Sequence, residues 1–183
     1  ITDGKKFYDY LRYGGEKTWG YPYYKDLFDD KILFKKENKK KVLTIFSSSY
    51  YEFYALGVGF RRKNNKDINH YESMKQILSS DFILENYDIR VRWHPNLSLA
   101  GNEEIKEIEK IIENTNSVAT HYSPFHKMNS YKLLEKSDVI LSFGSTIGIE
   151  ATYYGKPSIL WGTAFYEDSG GIYEIDTLSD LES

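Results

Sequence analysis

Gly144-Ser145-Thr146-Ile147-Gly148-Ile149-Glu150 follows an apolar run and opens a helical pattern, and its residue types suit the binding of a phosphate and its attached sugar. Gly144 lets the backbone come close to a ligand. Ser145 and Thr146 bring hydroxyls to a helix start, where free amides and the positive end of the helix dipole favour an anion. The plainer reading is an N-cap worth about 1 kcal/mol, and the two roles are compatible. Glu150 lies one helical turn beyond Thr146, on the same face, where a carboxylate can accept hydrogen bonds from the vicinal hydroxyls of a ribose. A solvated glutamate is the alternative, but Ile147, Ile149 and Ala151 around it are apolar.

His94 ends an alternating run and precedes Pro95, which holds it extended and presents its imidazole beyond the strand. A histidine so placed can donate to a phosphate or titrate near neutrality, and it can equally be structural. Arg90 and Arg92 alternate with Val91, share one face and add positive potential. Ser47, Ser48 and Ser49 form either a turn that binds phosphate through amides or an ordinary loop. His121 and His126 flank Pro124 without a usual zinc spacing and the chain has no cysteine, so no metal site is expected. His70 falls on a polar helix position and reads as solvated. Gly57-Val58-Gly59 lacks the third glycine and preceding strand of a dinucleotide fingerprint, and no Walker loop or Gly-x-Ser-x-Gly elbow is present. Hydride transfer, ATP hydrolysis and esterase chemistry lose ground.

These groups need elements to position them. Short apolar runs at Val42 to Ser47, Ile89 to Trp93, Val118 to Tyr122, Asp138 to Phe143 and Pro157 to Trp161 read as strands. Helical spacing fills the intervals: Asp67 to Leu78 with Asp67 as its cap, a helix capped by Asn102 with Ile105, Ile108, Ile111 and Ile112 in one stripe, Ser130 to Lys136, and Thr146 to Tyr154 stopped by Gly155 and Pro157. Such alternation calls for right-handed crossovers and a Rossmann-like, doubly wound parallel α/β sheet. Ligands then sit at the carboxyl ends of the strands, and all the candidate loops share that edge.

With 183 residues and 40% hydrophobic content, the chain buries a core without disulfides or structural metal. The expected division is a lead-in or interdomain segment over 1–40 and a binding domain over 41–183. There is no apolar run of membrane-spanning length, no apolar signal core and no initiator Met, so a cytoplasmic, trimmed chain is expected. The net charge is −3, and the basic run from Lys35 to Lys41 is broken by Glu37, so it reads as a solvated loop rather than a nucleic-acid patch. Peripheral contact with anionic lipid is compatible with it. Tyrosines crowd the first 30 residues, as on a surface packed against another domain.

His94-Pro95 and the segment SDVILSFGSTIGIEATYYGKPSIL resemble bacterial capsule polysaccharide and surface-carbohydrate glycosyltransferases of the two-domain GT-B type. Similar His-Pro and Ser-Ser or Ser-Thr motifs occur in bacterial sialyltransferases and teichoic-acid glycerophosphotransferases. Gly20 to Phe28 is similar to the Gly-x-Pro segment joining the two halves of such enzymes, and Phe165 to Leu181 looks like the family's continuation. The resemblance implies the donor half of a metal-independent glycosyltransferase that needs no cofactor. Its nucleotide-sugar donor, CMP- or UDP-activated, is held by His94, Gly144, Ser145 and Thr146 at the phosphate and Glu150 at the ribose, with Ser47 and Ser48 facing the cleft. It also implies a polysaccharide or lipid-linked acceptor and an N-terminal Rossmann-like domain supplying acceptor contacts and catalytic base. A nucleotide-sugar epimerase of the same fold and a non-catalytic nucleotide-binding or scaffold domain are the alternatives.

Overall fold

The computed structural model describes residues 2–13, 39–49 and 69–183. Six strands form one wholly parallel sheet in the order β3-β2-β1-β4-β5-β6: β1 Lys41–Phe46, β2 Tyr87–Arg92, β3 Ala119–Tyr122, β4 Val139–Ser142, β5 Ser158–Trp161 and β6 Tyr173–Ile175. That order reverses between β1 and β4, which places a topological switch point beside the Ser47 and Gly144 loops.

Helices cover both faces, as a parallel sheet requires. On one face, α2 (His70–Leu78), α3 (Asp81–Asn86), α4 (Asn102–Thr115) and α7 (Leu178–Glu182) close over Leu43, Ile45, Val91, Trp93, Leu141 and Phe143. On the other, α5 (Ser130–Lys136) and α6 (Ile147–Tyr153) close over Phe46, Tyr122 and Ile140, and α1 (Thr2–Tyr13) joins them by stacking Tyr8 on Tyr153. The Rossmann-like reading of the sequence holds. β1 is fixed at its start by the Asp138 carboxylate, which accepts the Val42 N–H at 2.8 Å, and by a 2.6 Å bond between the Thr44 and Ser137 hydroxyls.

Several local details differ from the periodicity. Asp67 lies outside the described residues, and the side chain that accepts the first amides of α2 is that of Asn69. Asn102 is not a cap: it is the first residue of α4, behind Gly101, and no side chain caps that helix. A polar residue beside Gly in a helix-opening run is ambiguous by one position. The periodicity does not mark α1, α3, β6 and α7, which are short or lack a clean apolar stripe. The Gly20 to Phe28 segment, most of the tyrosine-rich lead-in, Lys35 to Glu37 and Gly57 to Gly59 lie outside the described residues.

Candidate functional site

The carboxyl ends of β1, β2 and β4 converge as the strand rule requires, and hydrogen bonds tie their loops together. Ser47, the first residue past β1, donates its amide to the Arg92 carbonyl at 3.1 Å, and its hydroxyl accepts the His94 N–H at 2.8 Å. The serine loop is therefore joined to the His-Pro turn. His94 is extended (φ −61°, ψ 132°), as its place before proline demands, and caps a 3-10 turn, Pro95–Leu99, by accepting the Asn96 N–H on Nδ1 at 3.2 Å. In the neutral ring the proton then sits on Nε2, which makes that nitrogen a donor. His94 is half-buried, whereas Ser47, Ser48 and Ser49 are buried.

Beyond β4, Gly144 takes a left-handed φ of 94°, so a glycine belongs there. Its N–H turns inward to the Ser142 hydroxyl at 3.1 Å. The Ser145 carbonyl also turns inward, accepting the Tyr166 hydroxyl at 2.7 Å, the Ser142 hydroxyl at 3.2 Å and the Gly148 N–H at 3.0 Å. The amides of Ser145, Thr146 and Ile147, in contrast, have no acceptor among the described residues. Ser145 is half-exposed and Thr146 exposed. Thr146 occupies the N-cap position with helical dihedrals and makes no capping bond. The expectation of a side-chain cap fails there: with Thr146 itself already helical, its hydroxyl does not turn back to the first amides, and it lies near enough to Glu150 to lower that residue's pKa.

Glu150 does lie one turn along from Thr146, but the residue is only 5% exposed and its carboxylate accepts the Tyr131 hydroxyl at 2.5 Å. Burial raises its pKa above the ordinary carboxylate value, and the neighbouring Tyr131 and Thr146 hydroxyls oppose that rise.

The two arginines share a face, as alternation predicts, and both are buried. Arg90 pairs with Asp88 at 2.7 Å and bonds the Thr120 hydroxyl. Arg92 donates to the carbonyls of Ser123, at 2.8 Å, and Tyr122, at 3.4 Å, and burial lowers its pKa to about 10. These contacts tie the end of β2 to β3 and its loop, so the arginines serve the walls of the edge.

His70 corrects the sequence reading. It is not solvated: its ring stacks on Phe143 at 5.2 Å, and burial holds its pKa down to about 4. Together with Ser47, Ser48, Tyr71, Met74, Trp93 and Phe143 it lines a small cavity at the same edge. Helical periodicity assigns His70 a polar position but carries no sign of Phe143, just past β4, on which it stacks. His121 is likewise structural, accepting Trp93 Nε1–H on Nδ1 at 3.3 Å and pairing Nε2 with the Thr115 hydroxyl at 2.9 Å. No group of three or more His, Cys, Asp or Glu side chains is placed to hold a metal among the described residues, and no helix there is long and apolar enough to cross a membrane.

Residues 63–176, more than half of the chain, match the model of the capsule polysaccharide biosynthesis protein family. The chain belongs to that family. This capsule biosynthesis chain shares its fold with two solved structures of Thermosulfurimonas dismutans KpsC. The β-Kdo 2,7-transferase superposes with a TM-score of 0.51 at 18% identity, covering 77% of this chain and 41% of the other. The β-Kdo 2,4-transferase gives 0.50 at 14% identity, covering 96% and 58%. UDP-GlcNAc 2-epimerase from Neisseria meningitidis, bound to UDP-GlcNAc, gives 0.44 at 14% identity, covering 100% and 38%. The capsule biosynthesis chain thus spans about half the length of the transferase structures it matches. No curated protein matches it in sequence.

Proposed function

We propose that this chain is the donor-binding half of a two-domain GT-B glycosyltransferase, which moves a sugar from a CMP- or UDP-activated donor to a capsular or other cell-surface polysaccharide. The observation that carries the reading is the set of three successive amides, Ser145, Thr146 and Ile147, without an acceptor among the described residues, on the sheet edge that also presents His94. Amides and an imidazole N–H are suited to the charge that accumulates on a nucleotide phosphate as the glycosidic bond breaks.

In this reading Gly144, Ser145 and Thr146 hold the phosphate by backbone and hydroxyl, and Nε2–H of His94 donates to the same group. Ser47 positions His94 through the hydroxyl that accepts its amide, and Ser48 lines the adjoining cavity. Glu150 takes the ribose by accepting hydrogen bonds from its hydroxyls on the carboxylate. No metal or other cofactor is required. An N-terminal Rossmann-like domain contributes the polysaccharide or lipid-linked acceptor's contacts and the catalytic base. The enzyme works in the cytoplasm, peripherally at the inner face of the membrane, and has no nucleic-acid partner.

Calorimetric titration of the chain with CMP and UMP tests the assignment. Replacing His94, Ser145, Thr146 or Glu150 by Ala should weaken the bound nucleotide, by about tenfold where one charge-assisted hydrogen bond is lost. Unaltered affinity in all four variants overturns the site, and absence of nucleotide binding by the parent chain favours a scaffold role.

A further inference from the structure

The loop after β4 is held from beneath by a residue that neither helical nor strand periodicity singles out. Tyr166 lies past the end of β5 and is 5% exposed. Its hydroxyl donates to the Ser145 carbonyl at 2.7 Å and meets the Ser142 hydroxyl at 3.0 Å, while the Ser142 oxygen also accepts the Gly144 N–H at 3.1 Å. The bonding capacity matches: the phenol proton and the Gly148 N–H take the two lone pairs of the carbonyl, and the serine proton goes to the phenol oxygen. Burial raises the Tyr166 pKa to about 12, so the donor keeps its proton across the physiological range.

The consequence follows from the planarity of the peptide bond. In a trans peptide the carbonyl of Ser145 and the N–H of Thr146 point in opposite directions. A carbonyl fixed inward therefore fixes the Thr146 N–H outward, while a rotation of that peptide would put a carbonyl oxygen at the ligand edge and repel an anion.

We infer that Tyr166 is a positioning residue for phosphate recognition, its hydroxyl acting with the Gly148 N–H to hold the Ser145-Thr146 peptide in the orientation that offers an N–H and withholds the carbonyl. The inference rests on the nucleotide-phosphate reading above and adds to it a residue outside the predicted set. Gly148 belongs to the same device, because the absence of a side chain there lets the Tyr166 hydroxyl come within reach of the Ser145 carbonyl.

The test compares each nucleoside monophosphate with its nucleoside, CMP with cytidine and UMP with uridine, by calorimetry on the full chain and on Tyr166→Phe. Phenylalanine keeps the ring packing and removes only the hydroxyl. The expected result is a loss of about tenfold in monophosphate affinity with nucleoside affinity kept within about twofold, so that the phosphate increment alone shrinks. Ser142→Ala should show the same signature and stands in if Tyr166→Phe fails to fold. Equal weakening of nucleoside and monophosphate, as a general loosening of the domain produces, overturns the inference, and so does unchanged affinity. If the parent chain binds no monophosphate, the nucleotide reading itself fails; if it binds and the variants match it, only the role of Tyr166 falls.

Discussion

Gly148 and Tyr166 meet without room for a side chain between them: a Cβ on Gly148 would lie 2.5 Å from Tyr166 Oη and 3.0 Å from Ser142 Oγ. Gly148→Ala should therefore destabilise the fold, since overpacking of about 1–3 kcal/mol outweighs the roughly 1 kcal/mol that alanine gains over glycine in a helix. Because the closest clash is with the hydroxyl, Tyr166→Phe should absorb part of the cost. The paired variant is expected to lose at least about 0.5 kcal/mol less than the sum of the single losses. Urea unfolding of the four proteins measures this, and strict additivity would contradict the contact.

Acid should weaken the fold through its enclosed histidines. His121 and His70 are each held down to about 4 from 6.5, mainly by burial. The unfolded ring takes up a proton near 6.5 but the folded ring only near 4, so the stability these groups confer is fully present above about 6.5 and drains away as pH falls toward 4. At His121, beside this burial, a proton on Nδ1 would face the Trp93 N–H that the ring now accepts. His121→Asn is expected to lower the urea midpoint near neutrality yet flatten its decline between about pH 7 and pH 5. A variant that retains the full decline would place the acid sensitivity elsewhere.

Removal of divalent cations should leave nucleotide binding intact, because the proposed site meets the phosphate with amides and an imidazole. With excess EDTA, CMP and UMP affinities are expected to stay within about twofold of their untreated values. A tenfold loss restored by Mg²⁺ or Mn²⁺ would assign charge neutralisation to a metal instead.

The strands at Val42, Ile89 and Val139 were legible because a buried parallel strand must be a short apolar run, and Gly155 and Pro157 end α6 where such residues end helices. The meeting of Ser47 with His94 was legible only as far as the shared edge; the hydrogen bond between them depends on β1 and β2 being neighbours in a particular register. Tyr166, Ser142 and Tyr131 were not legible. Their roles arise from contacts between elements, as when Tyr166 reaches back 21 residues to Ser145, and no local period records such a contact. The helical period around His70 and around Glu150 carries no trace of Phe143 and Tyr131, which come from other segments and decide their surroundings.

The central pairing of β1 with β4 joins residues far apart in sequence, as in the bond from Val42 N–H to the Asp138 carboxylate across 96 positions. A growing or refolding chain can pair β1, β2 and β3 through nearer connections, but the other side of β1 has no partner until β4 arrives. Closing so long a loop is entropically slow. Until then the apolar run from Val42 to Phe46 presents an open strand edge of the kind that recruits other chains, so truncation before Val139 should yield aggregates rather than a smaller soluble sheet.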